Sequence, residues 1–162
     1  MRLDVPYAKH STMYSCGPTS LKMLLAYFGI HATEEELIHC LQTDEQNGTN
    51  HAPIAAELEG RGLHCVHTSN ASFEDILNAL EARLPVLVNY INPHNKYGHF
   101  AVVVGATHDH IVLNDPKNGE GFSLKRDEFE KLWIDGEGEN PQWMLVASLQ
   151  ETQLPVFREV VV

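Results

Sequence analysis

The sequence predicts an α+β fold in which an N-terminal helical half packs on a C-terminal antiparallel sheet. Three observations carry that expectation. Through the first half of the chain apolar residues recur at three- and four-residue steps (Leu21, Leu24, Leu25 and Phe28; Ile54 and Leu58; Phe73, Ile76, Leu77 and Leu80), the spacing of half-buried helices. After Pro85 β-branched runs such as Val86-Leu87-Val88 and Val102-Val103-Val104 take over, punctuated by proline, glycine and turn residues. No repeat, low-complexity tract or linker divides the 162 residues, which read as a single domain, 1–162, long enough for a sizeable core.

Taken in order, residues 3–7 form a short extended lead-in and a polar loop runs on to Ser15. A helix follows over 16–29. Pro18 suits its first turn, where a missing N–H is no loss, and Gly29 suits a left-handed stop. Thr33 with Glu36 makes a capping box for a helix over 33–41, whose Glu34-Glu35-Glu36 start is favoured by the helix dipole. Residues 43–50 are a loop around Gly48. A third helix spans 51–61, with Ile54, Ala55 and Leu58 inward and Gly62 ending it, and 63–68 is a strand. Ser72 with Asp75 caps a fourth helix through Arg83. Strands then cover 85–91, 99–105 and 110–115. The second is almost wholly apolar and therefore central, and a tight turn at His108-Asp109 joins it to the third. Asp127 opens a helix reaching Trp133, an acidic, glycine-bearing loop fills 135–140, and 143–149 is the last strand. Cys40 and Cys65, in a helix and a strand, read as buried fillers, and Trp133 and Trp143 as packing residues.

Composition excludes several classes of function. A net charge of −11 disfavours nucleic acid and anionic membrane as partners. No apolar run has the length of a membrane span, and the N-terminus lacks a signal-peptide core, so a cytoplasmic protein is expected. Three cysteines form neither a disulfide framework nor a close metal spacing. The groupings His108 with His110, and His64 with Cys65 and His67, offer too few ligands, so no metal and no cofactor is expected.

The chemistry starts from Cys16. The N–H groups and positive dipole end at a helix start favour an anion, and the thiolate is the nucleophilic form of cysteine. A thiol attacking a carbonyl benefits from a base, and the base from a group that orients its ring. His99 opens a core strand and Asp115 closes the next one. If the two strands form a hairpin, the start of one lies beside the end of the other. Cys16, His99 and Asp115 then meet at one edge once the first helix packs its apolar face on the sheet.

The blocks Val5-Pro6-Tyr7, Cys16-Gly17-Pro18-Thr19-Ser20-Leu21 through Tyr27-Phe28-Gly29, Gly98-His99-Phe100-Ala101-Val102-Val103-Val104-Gly105 and Asn114-Asp115-Pro116 resemble family thirty-nine of the cysteine peptidases. These papain-like enzymes include bacteriocin-processing peptidases that cut leaders after a double glycine. The resemblance runs from Val5 to Trp133. It implies a papain-like fold, a peptide or protein substrate, and an acyl-enzyme mechanism with Cys16 as nucleophile, His99 as general base and Asp115 as orienting acid. The family places a glutamine six residues before the cysteine to help hold the oxyanion, and this chain has His10 there. Acyl or peptidyl transfer on the same scaffold, and peptide binding without cleavage, remain the alternatives.

Overall fold

In the computed structural model, which describes residues 2–134 and 141–157, the first helix α1 spans Cys16–Tyr27 and stops at Gly29, whose φ of +78° is the left-handed conformation expected there. Helix α2 (Glu34–Cys40) carries the capping box of Thr33 and Glu36, and α4 (Phe73–Glu81) that of Ser72 and Asp75. Between them lie α3 (Ala52–Gly60) and strand β1 (His64–Thr68), and α5 (Arg126–Leu132) follows late in the chain. The remaining strands are β2 (Val86–Ile91), β3 (Gly98–Ala106), β4 (His110–Asp115), β5 (Gly119–Lys125) and β6 (Met144–Ser148). The expected loop at 135–140 lies outside the described residues.

All six strands join one antiparallel sheet in the order β1-β6-β2-β3-β4-β5. This is the α+β class the sequence predicts, with two additions. Strand β1, from the helical half, enters the sheet as an edge. Strand β5 was not expected at all. Its segment Gly119-Glu120-Gly121-Phe122-Ser123-Leu124-Lys125 has weak strand propensity, and it is held by pairing with β4 at the other edge. Strands β2, β3 and β6 are buried at nearly every position, so both faces of the middle of the sheet are covered.

Helix α1 packs on β3, touching β2 and β4 as well, through Leu21, Leu24 and Leu25, none of which retains exposure. Each such side chain contributes roughly 1.5–3 kcal/mol of burial, so the helix that begins at Cys16 is anchored to the strand that begins beside His99. Phe129 of α5 lies against Tyr90 of β2 and Phe73 of α4, which places those helices on the Tyr90 side of the sheet. Trp133 and Trp143 are buried as expected, and the Trp133 indole N–H donates to the Trp143 carbonyl at 2.9 Å. The cysteines depart from expectation. Cys65 is only half-buried, and Cys40 is exposed because α2 turns Leu37 and Leu41 into the core and leaves Cys40 off that stripe.

Candidate active site

Cys16 occupies the first helical position of α1, with Ser15 as its N-cap. The first intrahelical bond is Thr19 N–H to the Ser15 carbonyl at 3.0 Å, and Pro18 has no N–H. The N–H groups of Cys16 and Gly17 therefore lack intrahelical acceptors and point out of the helix start. Glu34 holds this turn from below. Its Oε1 accepts from Ser11 N–H at 3.0 Å, the Ser15 hydroxyl at 2.5 Å and the Thr19 hydroxyl at 3.1 Å. Burial pushes the Glu34 carboxyl up, but these hydrogen bonds outweigh it and hold the group below its usual range. On the other flank Gly17 faces the loop between α2 and α3, where a Cβ would stand 2.4 Å from Thr49 Oγ1.

The backbone N–H of Phe100 donates to Cys16 Sγ at 3.5 Å, which ties the cysteine to the start of β3 one residue from His99. His99 Nε2 lies 2.6 Å from Asp115 Oδ1, both side chains being almost wholly buried. A carboxylate can only accept, so the hydrogen sits on Nε2 and Nδ1 remains available to Cys16. Burial alone would push the imidazole pKa down. The hydrogen bond to Asp115 and the adjoining Cys16 sulfur lift it to about 9.

The meeting of His99 with Asp115 depends on an irregularity in the β3–β4 hairpin. Ala106 pairs with Ile111 and Gly105 with Val112, but the register then shifts so that Val103 pairs with Leu113 and Val102 with Asn114. Continued by one residue, this register sets Asp115 opposite Ala101, on the same face as His99. Without the shift Asp115 would oppose Val102 and point away from His99, because neighbouring residues on a strand face opposite sides.

Asp115 is enclosed by donors. Tyr90, paired with His99 on the β2–β3 ladder, donates its hydroxyl to Asp115 Oδ2. Asn118 Nδ2 donates to the same oxygen at 3.3 Å. The N–H groups of Lys117 and Asn118 reach Oδ1 at 2.9 Å each, and the Tyr7 hydroxyl donates to the Asp115 carbonyl at 2.8 Å. Burial would raise the Asp115 carboxyl, but His99 and these donors keep it below its usual value. Asn114 donates its side-chain amide to the Val5 carbonyl at 3.0 Å and accepts from Gly121 N–H at 3.3 Å. That pins the lead-in and β5 to β4.

His10 lies beside His99, with the ring centroids 6.4 Å apart and the rings edge to face. Its backbone N–H donates to the Pro116 carbonyl at 3.1 Å, and its ring Nδ1 is buried with no hydrogen-bond partner among the described residues. Burial first, then the His99 charge, lowers the His10 pKa, so the ring is held neutral with one donor nitrogen. The four residues singled out in the sequence thus come together around one site. Tyr90, Asn118, Tyr7 and the clamping role of Glu34 were not singled out. Asp115-Pro116-Lys117-Asn118 did carry a turn signal, but Tyr90 could be found only from the strand register.

Among the described residues no helix is long and apolar enough to cross a membrane. The sequence profile of the peptidase C39 family matches residues 4–136. An uncharacterized protein of Methanothermobacter thermautotrophicus is 31% identical over 133 residues, covering 80% of this chain and 84% of its own, and one of Methanothermobacter marburgensis is 29% identical over 131 residues with the same coverage. Among solved structures, the peptidase domain of Streptococcus ComA, a bifunctional ABC transporter of a quorum-sensing pathway, superimposes with a TM-score of 0.73 at 17% identity, over 91% of this chain and 100% of that one. A double glycine motif protease from an AMS/PCAT transporter, in complex with its leader peptide, gives 0.70 at 21% identity, over 90% and 92%. At these identities the structures share the fold.

Proposed function

The chain belongs to the peptidase C39 family, and from that premise we propose that it is a cysteine peptidase of one domain that cleaves a peptide bond by way of Cys16, His99 and Asp115. The observation that carries this reading is that Cys16 Sγ, held by Phe100 N–H at 3.5 Å, adjoins the imidazole of His99, whose Nε2 lies 2.6 Å from Asp115 Oδ1.

In this mechanism His99 Nδ1 takes the Cys16 proton and the sulfur attacks the substrate carbonyl carbon. The carbonyl π electrons move to oxygen, giving a tetrahedral oxyanion. The free N–H of Cys16 at the start of α1 and the donor nitrogen of His10 stabilise that oxyanion, His10 standing where the family has glutamine. The C–N bond then breaks, and the imidazolium passes its proton to the leaving amine. The remaining thioester is hydrolysed by water whose proton His99 accepts, so the acid is released and the thiol restored. Asp115 stays ionised throughout, fixing the Nε2–H tautomer and balancing the imidazolium.

A peptide substrate is supported by likeness to the transporter protease described with its leader peptide. The test is incubation with a peptide library and mass spectrometry of the intact protein. An acyl adduct on Cys16, loss of turnover in Cys16→Ala, and slowed iodoacetamide alkylation of Cys16 in His99→Ala are expected. A Cys16→Ala protein that cleaves peptides at the wild-type rate refutes the mechanism.

A further inference from the structure

Three of the loops that frame Cys16 and His99 differ in charge from the rest of the molecule. Residues 8–15 carry Lys9, residues 92–97 carry Lys96, and residues 116–118 carry Lys117, which is half of all the lysines in the chain. None of these loops contains an Asp or Glu, although the protein has 22 acidic residues and a net charge of −11. The loops are physically joined. His10 N–H donates to the Pro116 carbonyl at 3.1 Å, and Asn118 Nδ2 donates to Asn92 Oδ1 at 3.3 Å, so all three lie side by side at the mouth of the site. Lys9, Lys96 and Lys117 are exposed, and among the described residues none of them enters an ion pair.

Asp44 and Glu45 belong to the other flank, the loop between α2 and α3 that Gly17 faces, and the carboxylates beside the three lysine-bearing loops are already engaged. Glu34 is turned into Ser11, Ser15 and Thr19, Asp115 lies beneath the rim against His99, and Glu120 faces Arg2 at 3.8 Å. Two of the same loops also expose large apolar side chains, Met13 at 87% and Tyr97 at 72%. A positive island on an otherwise acidic surface repels the protein's own kind of charge and attracts the opposite one, and at the mouth of a cleft it acts on whatever enters.

We propose that this rim selects acidic peptide segments: the enzyme cleaves chains carrying Asp or Glu within a few residues of the scissile bond, the carboxylates meeting Lys9, Lys96 and Lys117. The selection rests on the peptidase reading of Cys16, and it adds a substrate class to that reading. Because the contacts are solvent-exposed, the preference weakens as salt shortens the screening length.

The test uses the full chain and the triple variant Lys9→Gln, Lys96→Gln, Lys117→Gln, which keeps the backbone N–H groups that hold Asp115. Alkylation of Cys16 by anionic iodoacetate and by neutral iodoacetamide is followed by peptide mapping, with exposed Cys40 as the internal reference. The iodoacetate-to-iodoacetamide rate ratio at Cys16 should fall roughly threefold to tenfold in the variant at low salt, three unit charges acting through water, and should stay constant at Cys40. Wild type and variant should converge at high salt. In the peptide library, wild-type cuts should be enriched in neighbouring Asp and Glu, and the variant should lose that enrichment. A ratio unchanged by the triple substitution overturns the proposal, and so does a cleaved set without acidic enrichment. A wild type that cleaves nothing defeats the peptidase reading instead, while the alkylation ratio still decides whether the rim attracts anions.

Discussion

Replacing Tyr90 by Phe removes one hydroxyl and nothing else from a wholly buried position. The ring stays against His99 at 5.8 Å and Phe129 at 5.9 Å, so no cavity opens. What is lost is a donor to Asp115 Oδ2. A hydrogen bond to a charged group contributes about 1.5–3 kcal/mol. The low end applies here, because Asn118 still serves the same oxygen at 3.3 Å and two backbone N–H groups still serve Oδ1. Tyr90→Phe should therefore cost about 1.5 kcal/mol at neutral pH, read from urea unfolding at unchanged m-value. The Asp115 carboxyl is held below its usual range, so its contribution is complete above the unfolded value of about 3.9 and disappears as pH falls through the lower folded value. The Tyr90 share should vanish in the same acid window. In an Asp115→Ala background the phenol has lost its acceptor, so Tyr90→Phe should cost nothing there or stabilise slightly. Wild-type-like alkylation of Cys16 in Tyr90→Phe is not expected, since a looser carboxylate orients His99 less well; a fall of up to about tenfold follows if the whole of that cost reaches the Cys16–His99 pair. Equal destabilisation with and without the Asp115 carboxylate would refute the reasoning.

His99, raised to about 9, contributes stability that is fully present below its unfolded value of about 6.5 and is lost as pH rises through about 9. Urea unfolding across that interval should show wild type losing about 3 kcal/mol relative to His99→Ala, and parallel curves would contradict the assigned environment. At the oxyanion, His10→Ala should lower the peptide cleavage rate by about two to three orders of magnitude, with His10→Gln retaining most of it. Equal rates in all three proteins would remove His10 from the mechanism. Gly17→Ala drives a methyl to within 2.4 Å of Thr49 Oγ1 and 2.6 Å of Thr49 Cβ. A cost of about 1–3 kcal/mol in thermal or urea unfolding is expected. Thr49→Gly should relieve the clash, whereas Thr49→Ala, which keeps Cβ, should not.

Local signals were legible wherever a residue's own neighbours along the chain decide its conformation. Pro18 and Gly29 bound α1, and the pairs Thr33 with Glu36 and Ser72 with Asp75 start α2 and α4, because caps and left-handed stops are satisfied within a few residues. The apolar stripe of α1 and the nearly continuous apolar run of β3 likewise announced which faces would be buried. Cys16, His99 and Asp115 were found from residue type, position at element ends, and family resemblance.

Strand β5 escaped notice because a polar edge strand with two glycines is stabilised by its partner β4 and has little preference of its own. The exposure of Cys40 is not legible in the sequence because helical periodicity does not say which side of α2 faces the core until α2 has packed. The register of the sheet was out of reach for the same reason. Alternation along a strand gives two faces, while the shift between Val103 and Gly105 that turns Asp115 toward His99, and the pairing that sets Tyr90 behind them both, exist only once three strands are aligned. Residue identity by itself supplied the thiol, the imidazole and the carboxylate. The common face of His99 and Asp115 is a property of the assembled sheet, since a one-residue change of register moves a side chain to the other side and no local interaction sets that register.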